Sequence, residues 1–584
     1  MRLERIYPLF IAVITVTAFA AACSFGLVNY DDYQYVVDGA KNYGFCWAFS
    51  HVGDAMWTPL TYLSYWLDRT LFFESWGAYH AHNIFWHAIN AVLLYEVLMS
   101  LTAGRHALAC LLAALIWSVH PLRVESVVWI AGRKDVLSTF FFLSALLCWI
   151  RSSGTLSLIS VLFFLVLGGM SKSSVMVFPA FALAVDALIL RRFRPWWAYV
   201  LLALLSFALA VEAGWAQNAG GACTVADEIP LAYRILNAFC SLTVYCHNLV
   251  FPRELAAQCQ LRYPQFPRFE FDGLLIMVGA SWYCVRRLLL MFRERVWRCD
   301  IPLAGLAAGF GSFIPFLGIA GFGTHAFADR FTLLPSVGFA IALLGFYLAV
   351  ERRSVRRICC VGGGIAAVLL ARQTLTQTSY WRDGATLFEH TLSVDGNGNL
   401  LAHKALLVHY WEFPHDMQKV YEHVLPALTA AEWQQDWISV LGYMGVEAAF
   451  ETGRPEEARD ICAWVYRMTG RQLKEVRKKD PSVTTSTHYL IAEAVRLAYT
   501  DDCLELAREK LGDLEGRYGM SDNIGVRNLR YVIARRGGNP AEIAAARANL
   551  YVKDGDSAAH NRWAKRWFVD SEPQGGGRHG VEWK

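Results

Sequence analysis

Two adjacent carboxylates, Asp31 and Asp32, follow the first apolar stretch of the chain, in a run where Tyr30, Tyr33 and Tyr35 surround them. Charged groups beside apolar helices are expensive and tend to be functional. Aromatic neighbours partly desolvate a carboxylate, which raises its pKa and suits it to act as a general base toward a hydroxyl. The competing reading is a solvated pair that anchors the loop at a membrane surface, although acids make poor anchors. A second cluster lies at His120-Pro121-Leu122-Arg123-Val124-Glu125 and Gly132-Arg133-Lys134-Asp135. Lys172 and the pair Asp329-Arg330 fall on the same side of the chain's apolar runs. Arg123, Arg133, Lys134, Lys172 and Arg330 thus gather five cations on one face. Arg grips a phosphate bidentately and Lys holds it as a point charge, so a phosphate-bearing ligand explains the gathering. The alternative is a set of structural ion pairs with Glu125, Asp135 and Asp329. His82 and His120 join the candidate ligand-binding residues. The His82–His87 spacing does not suit a metal on a helix, and no metal-ligand set is expected, although a divalent ion is not excluded. An acid cluster to activate a hydroxyl and a cationic cluster to stabilise a phosphate leaving group make group transfer feasible on that face.

These clusters must be held by elements of an apolar protein. Of 584 residues 55% are hydrophobic and only 18% charged, where a soluble enzyme of this size carries nearer a quarter charged residues. Mean hydropathy is +0.30. The net charge of +4 is small, which argues against a nucleic-acid footprint. Aromatic residues make up 14%, as in proteins with aromatic belts at both membrane interfaces. The 14 cysteines contain no CxxC pair, which excludes the common zinc spacings. Cys223 and Cys259 flank a loop placed outside the cytoplasm and are candidates for a disulfide.

Arg2 and Arg5 precede an apolar run from about Ile6 to Val28, longer than the core of a signal peptide and long enough to span a bilayer. It reads as an uncleaved first helix with a cytoplasmic N-terminus. Ten further apolar runs lie near 82–101, 107–119, 136–150, 155–170, 174–190, 196–215, 273–285, 302–320, 331–350 and 358–375. Basic residues concentrate at Arg105, Arg151, Arg191 to Arg194, Arg286 to Arg298, and Arg352 to Arg357. Placing all five groups in the cytoplasm gives about eleven crossings by the positive-inside rule. The segment 231–250 would break that order if it crossed, so it is expected to lie at the outer interface or to dip in and back. An odd count leaves the C-terminal part opposite the N-terminus.

The sequence therefore predicts an all-α protein with a polytopic membrane domain over 1–377 and outer loops at 28–80, 120–135 and 216–272. A soluble helical domain over 378–570 and a disordered tail over 571–584 follow it. Helix pairs recur at Asn399–Trp411 with His415–Val424 and at Val440–Thr452 with Pro455–Met468. Gly453-Arg454-Pro455 makes a turn, and Ala448, Ala449 and Ala458 allow close helix approach, as in a tetratricopeptide repeat. Gly538-Asn539-Pro540 makes a weaker copy of that turn. A plain helical bundle is the alternative.

The pattern His120-Pro121-x-x-x-Glu125-Ser126-Val127 with Gly132-Arg133-x-Asp135-Val136-Leu137 resembles the second luminal loop of the transmembrane and tetratricopeptide-repeat O-mannosyltransferase family. Tyr30-Asp31-Asp32, Ala328-Asp329-Arg330 through Leu334-Pro335-Ser336-Val337-Gly338-Phe339, and Trp381-Arg382-Asp383 to Phe388 resemble the same family in the same order, and its bacterial relatives most of all. The resemblance covers about residues 20–190 and 320–410. It implies a GT-C glycosyltransferase fold and a sugar donor carried on a polyprenyl phosphate. By matching positions, Asp31 would be the base with Asp32 beside it. Arg133, Lys172 and Arg330 would hold the lipid phosphate, and Glu125 and Asp135 would orient them. Thr58 stands where relatives carry His or Arg, and Leu333 where they carry Tyr, so the sugar is not fixed as mannose.

On this reading the chain sits in the inner membrane, with its C-terminal domain in the periplasm. Its partners are the bilayer, the lipid-linked donor and a protein or glycan acceptor that the repeats could bind. Two other classes compete. A transporter or flippase should carry charges at mid-membrane and repeated halves, and the sequence shows neither. A non-catalytic scaffold would have no need of Asp31, Asp32 and Arg133.

Overall fold

The computed structural model describes residues 3–38, 44–53, 55–219, 229–261, 265–294, 299–319, 325–412, 416–430, 438–479, 504–516 and, discontinuously, 526–549. The described chain is helical almost throughout, as the composition predicts, and forms two compact units, Met1–Val394 and Asp395–Lys584.

The first unit opens with α1 (Tyr7–Phe19), the short α2 (Phe45–Ser50) and α3 (Pro59–Phe72). Then come α4 (Trp76–Leu101), α5 (Ala107–Ser118), the one-turn α6 (Val124–Val128), α7 (Arg133–Arg151) and α8 (Thr155–Gly169). Next are α9 (Phe178–Val185), α10 (Trp196–Ala219), α11 (Leu231–Val250) and α12 (Phe271–Glu294). The unit closes with α13 (Ile301–Gly311), α14 (Pro335–Ala349), α15 (Arg353–Ser379) and α16 (Gly384–Asp395). Proline stands in the first turn of α1, α3, α9, α13 and α14, where its missing N–H costs nothing and its fixed φ suits the helix. The one sheet among the described residues is a two-strand clip in which Cys259 pairs with Phe327.

Every apolar run expected to cross contains a helix. Among the described residues six helices are long and apolar enough for a crossing, or seven if the bent pair 107–118 and 121–128 counts as one span, and three shorter apolar helices accompany them. The chain is thus a multi-pass membrane protein by length and composition. Helix α11 is not among those apolar enough to cross. It lies against α12, and Asn237 and Ser241 donate to the Ala326 carbonyl at 3.1 and 2.9 Å, fastening it to the clip.

In lipid, helices adhere through close packing rather than hydrophobicity, so small residues mark their contacts. Gly305 and Gly309 on α13 meet Gly338 and Ala342 on α14: a Cβ on Gly338 would stand 2.4 Å from the Gly309 nitrogen. Just before α14, the Leu333 side chain is buried in the same core.

The division between the units falls at Val394, later than the composition change near 378. Trp381, Leu387 and Phe388 are buried in the first unit, with Trp381 6.3 Å from Trp129 and Phe388 6.1 Å from Tyr30, ring centre to ring centre. In the second unit, α17 (Leu400–Glu412), α18 (Met417–Ala430), α19 (Ile438–Glu451) and α20 (Pro455–Lys479) pack in succession. Gly453 turns the chain at φ +75°, and Ala448, Ala449 and Ala458 are fully buried between helices. The expected tail at 571–584 and Cys223 lie outside the described residues, while Cys259 is buried on its strand.

Gly338→Ala should destabilise the protein by about 1–3 kcal/mol, as over-packing does, and lower its melting temperature in detergent. Gly363→Ala is the control, because its Cβ would meet Leu112 at an ordinary 3.5 Å. Equal melting of both variants would refute the close contact.

Candidate active site

The first loop and the second meet through Asp32. Its carboxylate is buried and accepts from the Val28 amide at 3.1 Å with one oxygen and from the Ala131 amide at 2.9 Å with the other. Both oxygens are therefore committed to backbone. Burial lifts the Asp32 pKa to about 7 against the pull of those two amides and Lys134, and the Asp31 charge adds to the rise. Asp31 is the more open of the two acids, being half-buried.

Trp129, which the motif reading passed over, is the centre of the cluster. Its ring stacks on Tyr30 with centroids 4.6 Å apart and planes 12° from parallel. The Lys134 ammonium lies 5.2 Å from it and the Arg330 guanidinium 5.4 Å. An aromatic face attracts cations, most strongly when water is excluded. Lys134 also donates to the Tyr35 hydroxyl at 3.3 Å.

Arg330 and Glu125 form a buried ion pair, and the Arg330 amide donates to the same carboxylate at 2.8 Å. Burial opposes the guanidinium's charge, but Glu125 outweighs it and holds the Arg330 pKa above its ordinary value. Asp329 next to it is pushed well up by burial and then by Glu125. His325 contacts the Arg330 guanidinium at 3.3 Å, and burial holds its pKa down near 3, so it faces the arginine as a neutral ring. Burial chiefly raises the Tyr30 phenol, Arg330 opposes the rise and the Asp31 charge adds to it. Lys172 pairs with Asp135 at 2.5 Å. Arg123 donates to Ser336 and Thr332, each at 2.9 Å, so the second loop is tied to the segment entering α14.

Arg133 is placed differently from the other cations. It pairs with Asp68 at 2.7 Å, not with Glu125 or Asp135, and is fully buried. Its remaining donors reach Asn83, Ser64 at 3.3 Å, His82 at 3.0 Å and the Tyr79 carbonyl at 3.0 Å. That accounts for all five N–H groups of a guanidinium. His82 sits in this network, 2.5 Å from Asp68. His120 is buried, with Nδ1 accepting from the Leu122 amide at 3.3 Å and Nε2 3.2 Å from the Leu249 carbonyl. Asp68 carried no motif signal, because its role appears only when α3 is laid against α4 and α7. Glu212 was missed as well: it brings a carboxylate into the apolar helix α10 beside Ser173, next to Lys172, where an acid is costly to keep.

The fold and this cluster define a multi-pass α-helical membrane protein with a buried acid and two cations, Lys134 and Arg330, around one aromatic hub. The chain is similar to the transmembrane and tetratricopeptide-repeat protein O-mannosyl-transferases, the family its motifs resemble. It is 33% identical over 96 residues to human protein O-mannosyl-transferase TMTC3, which is 16% of this chain and 10% of that protein. It is 22% identical over 356 residues to a Caenorhabditis elegans protein O-mannosyl-transferase, 58% of this chain and 48% of the relative. With human protein O-mannosyl-transferase TMTC4 the figures are 30% over 118 residues, 18% of this chain and 16% of the relative. The matched stretches thus span from a tenth to about half of these relatives. No family model matches the chain, and no solved structure matches it.

Asp32→Asn puts an NH2 against a backbone N–H and should cost about 1–3 kcal/mol of stability, while Asp31→Asn should cost little. An acid whose folded pKa of about 7 exceeds its ordinary 3.8 favours the fold below 3.8, and that contribution is lost as pH rises to about 7. The Asn variant should lose this part of the pH dependence. Melting curves in detergent across that range test both points, and wild-type behaviour of Asp32→Asn would sink the clasp.

Proposed function

We propose that this protein is a membrane glycosyltransferase that moves a sugar from a polyprenyl-phosphate carrier to a hydroxyl on a protein, at the face opposite the cytoplasm. What carries the reading is Arg330 lying against both the Trp129 ring, on which Tyr30 beside Asp31 stacks, and the Phe331 ring, which Lys172 of the Lys172–Asp135 pair also faces. The relatives' names favour mannose as the sugar. Asp31 is the base: it takes the acceptor's hydroxyl proton as the oxygen bonds to the sugar's anomeric carbon, and the carbon–phosphate oxygen bond breaks. Lys172 and Arg330 stabilise the charge left on the lipid phosphate, which needs little acid assistance. Asp32 positions Asp31, and Arg133 is a positioning residue that holds α3, α4 and α7 in register. A GT-C fold fits this chemistry, and the second unit is a natural surface for the acceptor.

Asp31→Asn should reduce transfer from mannosyl polyprenyl phosphate to a Ser/Thr peptide about 10²–10⁴-fold at unchanged protein level. Lys172→Ala should chiefly raise the donor KM. Near-normal transfer by Asp31→Asn would reject it as the base. Orientation is tested by reporter fusions after residue 549. Alkaline phosphatase should be active and green fluorescent protein dark, and the reverse pattern would move the second unit to the cytoplasm.

A further inference from the structure

A separate group of ligand-type side chains lies where α11 meets α12. His247, on the last turn of α11, and Glu270 and Asp272, at the start of α12, each offer one ligand atom within 4.8 Å of the other two. Atoms so spaced lie within roughly 2.8 Å of a common centre, against about 2.0–2.2 Å for a bound metal, so small side-chain rotations would close the set.

The backbone builds this group. A Cβ on Gly273 would stand 1.8 Å from the Thr243 carbonyl, so glycine lets α12 approach α11 one turn before His247. The Glu270 amide donates to the Thr243 hydroxyl at 3.1 Å, fixing the entry to α12. His247 Nδ1 lies 2.7 Å from an Asp272 carboxylate oxygen, within hydrogen-bond distance. Arg268 donates to Glu270 at 3.0 Å and orients it. The group sets two carboxylates against this one guanidinium. All three ligand groups are partly exposed, so an ion has a path in.

We propose that His247, Glu270 and Asp272 bind a divalent transition metal of the zinc or manganese class, with water completing its coordination. One imidazole and two carboxylates suit those ions, whereas calcium and magnesium favour all-oxygen sets. The ion takes the place of the hydrogen bond between His247 and Asp272, because metal ligands bind in their deprotonated forms. Its role is to staple the α11–α12 hairpin. That hairpin braces two motif loops, through Asn237 and Ser241 on the Ala326 carbonyl and through the Leu249 carbonyl at His120. The metal acts on position and stability, not on the transfer step, so the proposal stands independently of the sugar and the carrier.

The test uses the full chain in detergent, stripped with a chelator, reloaded with Co2+, Zn2+ or Mn2+, and desalted. Wild type should retain about one equivalent and melt higher. Its Co2+ spectrum should lack thiolate charge transfer, which separates this site from the chain's cysteines. His247→Ala and the milder Glu270→Gln should each lose the bound ion and the thermal shift, and Glu254→Gln should keep both. Retention equal in wild type and both ligand variants, or none in wild type, would overturn the proposal.

Discussion

The Glu125–Arg330 pair is the contact on which the site's arrangement depends. It joins residues 205 positions apart and is buried, so neither partner can return to water without the other. Removing one partner of a buried pair strands a charge, at about 3–5 kcal/mol. Replacing both with apolar groups is often neutral for stability, so the pair's presence is better explained by what it positions. The second loop carries Glu125 and Asp135, and the segment before α14 carries Asp329 and Arg330. With Arg123 on Ser336 and Thr332, the pair locks these two loops at one register.

Trp129 extends that lock to the first loop. The indole stacks on Tyr30, and the adjacent Ala131 amide is one of the two donors to Asp32. Three stretches far apart in the chain are thereby held around a single ring, by stacking, by cation–π attraction and by backbone donors to a buried carboxylate. None of these alone exceeds a few kcal/mol, but each fixes a different loop. The result is an acid and several cations held together by elements that bury their own polar groups.

Much of this was legible in the sequence, because the apolar runs and charged motifs are local signals. Each expected crossing run contains a helix, and α11, which the order of the basic groups set apart, is not among the helices apolar enough to cross. Gly453 and Gly538 of the second unit were likewise marked by a proline two residues further on. What was not legible depends on pairing across the fold. Asp68 sits in an amphipathic helix without a motif and becomes a partner of Arg133 only through α3–α7 packing. Trp129 resembles any interfacial tryptophan until Tyr30 is laid on it. The unit boundary was placed at the composition change, whereas burial of Trp381 and Phe388 carries the first unit on to Val394.

Counting donors separates the cations that sequence alone had to treat alike. Arg133 spends all five N–H groups on Asn83, Ser64, His82, Asp68 and Tyr79. A phosphate could reach it only by breaking bonds already made in a site closed to water. Lys172 has three N–H donors, and among the described residues Asp135 takes one. Its neighbours on the other side are the Phe331 ring, 5.8 Å away, and the short run leading to α9. An ammonium held by one carboxylate, with donors to spare and little contact with water, gains most from an anion that brings further acceptors. Under the proposed function, the same difference assigns Arg133 to the scaffold and Lys172 to the donor phosphate.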